Sequence, residues 1–210
     1  MGDRLAALAD AAPDLVAAWE ALGGVTDLGV VAPGGVLAPH VLSALDAVAG
    51  PGAAARLAPQ MAAIAGALSS AVASLPEAAF ALPGGEGDWN VAQAIGHTAD
   101  ARAGLALAAS FAAAGRFPDA APPVVSGVPG PADAGRDALL RRIGASQRIV
   151  ERAARGIEGH ELDPCPLDHP LIGRLRCGEW LAWAGVHDLL HLEQLEGIEA
   201  GLGGEVRPRP

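Results

Sequence analysis

Large apolar residues recur at intervals of three and four through most of the chain, the period of helices that each bury one stripe. Leu5, Leu8, Leu15, Trp19 and Leu22 form the first stripe. Pro13 interrupts it and is placed to start a second helical piece as a first-turn residue, and Gly23 and Gly24 end it. Residues 25–35 read as a loop punctuated by glycine and proline, and Pro39 opens a short helix through Val48 that Gly50 and Pro51 close.

The first long helix is predicted over residues 58–75, with Met61, Ile64, Leu68, Val72 and Leu75 on one side. This uncharged run could span a bilayer by length. Its stripe is one-sided and includes Gln60, so we read a core helix of a soluble protein with no membrane partner. Pro83, Gly84 and Gly85 make a loop, after which Asn90 and Gln93 form a capping box for a helix over 90–115 carrying Ile95, Thr98, Leu105 and Phe111. Residues 116–135 are a connector crowded with proline and glycine. It is long for antiparallel neighbours, so simple up-and-down helix order is not expected.

Residues 136–157 form the third main helix, with Leu139, Leu140, Ile143, Val150 and Ile157 inward. Arg141, Arg142, Arg148, Arg152 and Arg155 surround the rest. The plain reading is a solvated face with Glu151 and Arg155 paired at i,i+4; a cationic strip for an anionic partner is the alternative. Residues 159–177 read as loop, 178–200 as the last helix and 201–210 as a loose tail. The expectation is an all-α fold: a four-helix bundle over 58–200 with a long connector between its second and third helices, an N-terminal helical extension over 1–57 and a flexible tail over 201–210.

Composition narrows the function. The chain is 51% hydrophobic but only 3% aromatic, and alanine dominates, which suits closely packed helices. A net charge of −10 repels phosphate backbones, so nucleic acid is not an expected partner. The chain has no lysine and no tyrosine, which removes Schiff-base chemistry and any P-loop. Cys165 and Cys177 stand too far apart for a C-x-x-C motif and read as reduced thiols of a cytoplasmic protein, with a disulfide between them as the alternative. The acidic start, MGDRLAALAD, lacks the order of a signal peptide.

The candidate chemistry lies in the last helix. His187 and His191 are four apart, so both imidazoles face one point. With six histidines in 210 residues, such a pair arises by chance in about one chain in seven, so spacing alone is weak evidence. An apolar helix raises its weight, because two buried imidazoles cost desolvation that a metal would offset. Trp183 lies one turn before the pair, Ala184 leaves room, and Gln194 lies one turn after. His97, interior to its own helix, is the candidate third ligand, with Asp100 at i+3 as a carboxylate to orient it. Three imidazoles with open positions are the set expected of a catalytic rather than a structural site. A closed structural site would need a fourth ligand such as His40 or His169. His40 reads as a helix-start surface residue and His169 as a loop residue near the rim.

These residues, from the first main helix through DWNVAQAIGHTADA to HPLIGRLRCGEWLAWAGVHDLLHLEQLEGI, resemble the DinB/YfiT-like family of four-helix-bundle metal proteins over about 58–200. The resemblance implies a bundle of unusual helix order and a divalent metal on His97, His187 and His191, with Trp89, Asp100 and Gln194 at the family's accompanying positions. Leu190 and Thr98 stand where relatives often carry histidine and leucine. The resemblance also implies a small-molecule substrate and two reactions: thiol S-transfer with a low-molecular-weight thiol such as bacillithiol or mycothiol, or hydrolysis by metal-activated water with Asp100 or Glu193 as base. A non-catalytic metal-binding or stress-associated interaction protein is the alternative. Zinc or nickel is the expected metal, and the alanine-rich helix faces are compatible with a homodimer.

Overall fold

A computed structural model describes residues 3–23, 38–84, 87–117, 124 and 127–204; the predicted loop over 25–35, Gly85, most of 118–126 and the end of the tail from 205 lie outside them. The described chain forms α1 (Asp3–Ala11), α2 (Pro13–Ala21), α3 (Ala38–Val48), α4 (Ala53–Ser74), α5 (Val91–Ala113), α6 (Arg136–Ile157), a hairpin of β1 (Pro164–His169) and β2 (Gly173–Arg176), and α7 (Cys177–Gly204).

The expected helical periods reappear with altered ends. Pro13 is the first residue of α2, whose first-turn amides have no side-chain cap of their own. Gln60 supplies it from α4: its Oε1 accepts from the Asp14 and Leu15 amides at 3.0 and 3.1 Å, and its Nε2 donates to Asp14 at 2.9 Å. The polar interruption of α4 therefore anchors α2. Helix α4 begins at Ala53 rather than at 58, because Gly52 turns the chain at φ +76° and the alanine-rich residues after it favour helix. Pro59 sits inside α4, where it lacks the backbone donor that would close a helical turn. Within α5, Phe111 points outward, 48% exposed, and is not part of the core stripe.

The stretch read as loop over 159–177 contains the antiparallel hairpin, with Asp168 paired to Arg174 and Gly173, the first residue of β2, at φ +90°. Helix α7 extends past the predicted end at 200.

Helices α4 to α7 form a square in which α5 packs on α6 and α7, and α4 packs on the same two. Chain neighbours α4 and α5 thus stand on one diagonal, and α6 and α7 on the other, so the order is not up-and-down. Helix α4 is long and apolar enough to cross a membrane by composition. Here Leu57, Met61, Ile64, Leu68 and Val72 face the bundle interior.

The N-terminal helices share one hydrophobic core with the bundle. They seat on α7 through two glycines: a Cβ on Gly185 would come within 2.6 Å of the Leu15 side chain, and one on Gly178 within 2.5 Å of the Ala49 carbonyl. Arg4 of α1 ties to Glu196 and Glu199 of α7. Helix α7 is therefore gripped on its outer side while its other side faces α5, and that second side carries the histidines.

Candidate metal centre

His97 enters from α5, and His187 and His191 from α7. One ligand atom from each lies within 4.8 Å of the other two; among the described residues no other group of three or more His, Cys, Asp or Glu is close enough to hold an ion. Ring centroids are 4.5 Å apart for His187 and His191, 5.2 Å for His97 and His187, and 5.4 Å for His97 and His191.

His97 is held by a backbone carbonyl, and His191 by a glutamine that a second backbone carbonyl orients. The Gly84 carbonyl can only accept, so the Gln194 Nε2 amide faces it and the Gln194 Oε1 is turned toward His191. His191 must then donate from Nδ1, at 2.8 Å, which leaves its Nε2 as a lone pair. His97 Nδ1 likewise lies 2.8 Å from the Val128 carbonyl, which fixes that nitrogen as the donor and frees Nε2. Such outer partners are what set the tautomer and direction of ligating imidazoles.

Glycines place both carbonyls. Gly84 lies against the chain just before α5, where a Cβ would meet the Asn90 carbonyl oxygen at 2.6 Å, and its amide donates to the Trp89 carbonyl at 2.7 Å. The returning connector crosses α5 where Gly130 meets Gly96; a Cβ on either would come within 2.9 Å of the other's Cα. The Gly130 amide donates to the Gln93 carbonyl at 3.0 Å, which seats Val128 over His97. The capping box of Asn90 and Gln93 starts α5 as expected, and the Asn90 amide reaches on to the Ala132 carbonyl. One short motif thus aligns helix, connector and imidazole.

The electrostatics favour neutral rings. Burial pushes His191 down to about 4, with Gln194 pulling weakly the other way. Burial lowers His187 well below the usual histidine value, and the neighbouring His191, His97 and His169 add to the effect. Metal binding requires the deprotonated form. His187 Nε2 and His191 Nε2 stand 3.3 Å apart. Two imidazole nitrogens on one tetrahedral zinc stand about 3.4 Å apart, given bonds of about 2.1 Å. His187 Nδ1 is buried without a hydrogen-bond partner. The pair thus has the spacing of metal ligands, and the donor set fits a divalent metal.

The other predicted site residues lie as follows. Trp183 is buried beside His187, centroids 6.2 Å apart, and its indole donates to His169 Nε2 at 3.1 Å. His169 is buried against Trp180 and Trp183, not on a loop at the rim, and burial lowers it to about 4. It belongs to the hairpin and supports the site from behind. Asp100 is 52% exposed and forms a two-point pair with Arg142 of α6, with distances of 2.8 and 2.9 Å. Glu193 follows His191 by two residues, about 200° around the helix, and burial, with Glu196 nearby, raises its carboxyl above the usual value. His40 is exposed on α3. Trp89 packs against His97 with centroids 5.1 Å apart.

A family model described as the DinB superfamily matches residues 46–195. The chain belongs to the DinB superfamily. The match begins at Asp46 within α3, ahead of the predicted bundle start at 58, and takes in all three histidines. No curated protein and no solved structure matches this DinB-superfamily chain.

Sequence reasoning missed Val128, Gly84 and a buried polar hub. Arg102, fully buried, donates to Asp188 at 2.7 Å, Ser146 at 3.3 Å, Gln147 at 2.9 Å and the Met61 carbonyl at 3.1 Å, so one side chain touches all four bundle helices. Asp188 directly follows His187. Burial pushes its carboxyl up to about 6 against the pull of Arg102. A charge inside an apolar helix, as Arg102 is in α5, was the available signal.

Proposed function

We propose that this DinB-superfamily protein holds one divalent metal on His97, His187 and His191 and uses it to transfer the sulfur of a low-molecular-weight thiol to an electrophilic small molecule. The observation that carries this reading is the convergence of three imidazoles whose outer nitrogens, at His97 and His191, are committed to Val128 and Gln194. Bound there, a divalent metal is a Lewis acid that lowers the pKa of a bound thiol or water toward neutrality.

The protein's own residues favour thiol over water. Hydrolysis by activated water calls for a positioned base. Asp100 is engaged by Arg142 on the outer surface, and Glu193 lies about 200° around α7 from His191, which favours neither carboxylate as that base. A thiol needs only to lose its proton. The sulfur must come from outside, because Cys165 and Cys177 are buried, and burial pushes the Cys177 thiol up to about 12. Trp89, Trp183 and the half-buried His97 and His187 wall the centre with aromatic and apolar surface, which limits water around a developing thiolate.

The test is thiol consumption by metal-loaded protein with bacillithiol, mycothiol or glutathione and a chlorinated bimane as electrophile. The expected result is a rate that needs metal and disappears in His97→Ala. Ester or amide hydrolysis without thiol, or equal rates in native protein and His97→Ala, would overturn it.

A further inference from the structure

All 14 basic residues of the chain are arginine, set against 24 acidic ones. Every described arginine outside α6 except Arg116 meets a carboxylate within 4.0 Å, as do Arg136 and Arg142 of α6 itself. The exceptions on α6 are Arg141, Arg148, Arg152 and Arg155. Each is exposed, and among the described residues none has a carboxylate within that distance. The expected pair of Glu151 with Arg155 does not form, because Glu151 accepts from Gln147 at 3.1 Å.

These four share one line. At about 100° per residue they fall within about 60° of one another and extend about 21 Å along the helix. The buried residues Leu139, Ile143, Val150 and Ile157 lie on the opposite side. The stripe therefore points directly away from the core, and its stems cover no apolar surface. An ordinary solvated face interleaves both signs. Here Asp137, at the N-terminal end, and Glu151, on the flank, are the only carboxylates of the helix.

We propose that the outer face of α6 is a docking surface for an acidic segment of a partner protein. Charge complementarity selects that occupant. Four guanidinium groups over about 21 Å exceed the reach of a single phosphate or carboxylate ligand. No residue of α6 is aromatic, so no ring is offered for a base to stack on, and the residues that flank the stripe, Ala138, Gly144 and Ala145, are too small to enter a lipid surface. The chain's charge of −10 further opposes a nucleic acid, whereas a short acidic segment meets the local stripe. Arginine also matches carboxylates two-pronged, as Arg142 does with Asp100.

The experiment measures fluorescence anisotropy of a labelled oligo-glutamate peptide with full-length protein at low salt, beside labelled oligo-thymidylate, vesicles of phosphatidylserine and phosphatidylcholine, and sedimentation of the protein alone. The variants are Arg148→Glu/Arg152→Glu, with Arg116→Glu as the off-stripe control; helicity and metal content show that both remain folded. The stripe predicts peptide binding that weakens as salt rises, falls about tenfold or more in the double variant and is unchanged in the control. Absence of peptide binding, equal loss in the control, tighter binding of the oligonucleotide or vesicles, or a stripe-dependent self-association would each overturn it.

Discussion

Gln194 acts on the metal centre without touching the ion's position: it reads the Gly84 carbonyl and hands His191 its tautomer. Gln194→Ala should leave the helices intact and weaken metal affinity about 10- to 100-fold, measured by competitive titration with a chelating dye. Equal affinities would show that the α7 helix alone aims His191. His169 supplies a pH test away from the ligands. Its folded value near 4 lies below the 6.5 of an unfolded histidine, so the unfolded chain binds a proton that the folded one refuses. Stability is thus unaffected above 6.5 and is lost as pH falls from about 6.5 to about 4. Urea unfolding of His169→Gln should show a shallower decline over that window than the native protein, the difference reaching about 3 kcal/mol at its lower end. At this scale His187 and His191 were legible because imidazoles at helical spacing are visible in sequence, whereas His97, on another helix, was singled out by its interior position and the family resemblance. Val128 and Gly84 were not, because they act through carbonyls that every residue carries.

Helices were read from their periods because each buries one stripe, and α6 matches the predicted span over 136–157. The hairpin of β1 and β2 escaped because Pro164 and Pro166 argue against a strand in sequence and β2 is only four residues long. The pair of Asp100 with Arg142 was not legible, because i+3 spacing describes the surface of its own helix and says nothing about the next one. The crossing of the connector over α5 depends on two glycines, and its test belongs to this scale. Gly130→Ala places a Cβ 2.6 Å from the Gly96 Cα, against backbone that cannot yield without moving. It should cost about 1–3 kcal/mol in unfolding free energy and weaken metal binding, since the Val128 carbonyl moves with the connector. A variant as stable and as metal-avid as the native protein would remove that crossing from the account of His97.

Across the whole molecule, the Arg102 hub joins α4, α5, α6 and α7 one residue from a ligand. Arg102→Met strands the Asp188 carboxylate in the core and should cost about 3–5 kcal/mol, whereas Arg102→Met/Asp188→Leu should recover much of that loss, both read by chemical denaturation. Recovery by the double variant would show that the pair holds register rather than supplying stability. The site then rests on a layered support: N-terminal helices behind α7, the hub within the bundle and two glycine-set carbonyls in front. The direct test of the whole is the metal content of untagged protein by plasma mass spectrometry, beside His187→Ala/His191→Ala. The account predicts about one divalent ion per native chain and none in the variant. Native protein that is metal-free and cannot be loaded with zinc or nickel, or a variant that keeps its metal, would contradict it.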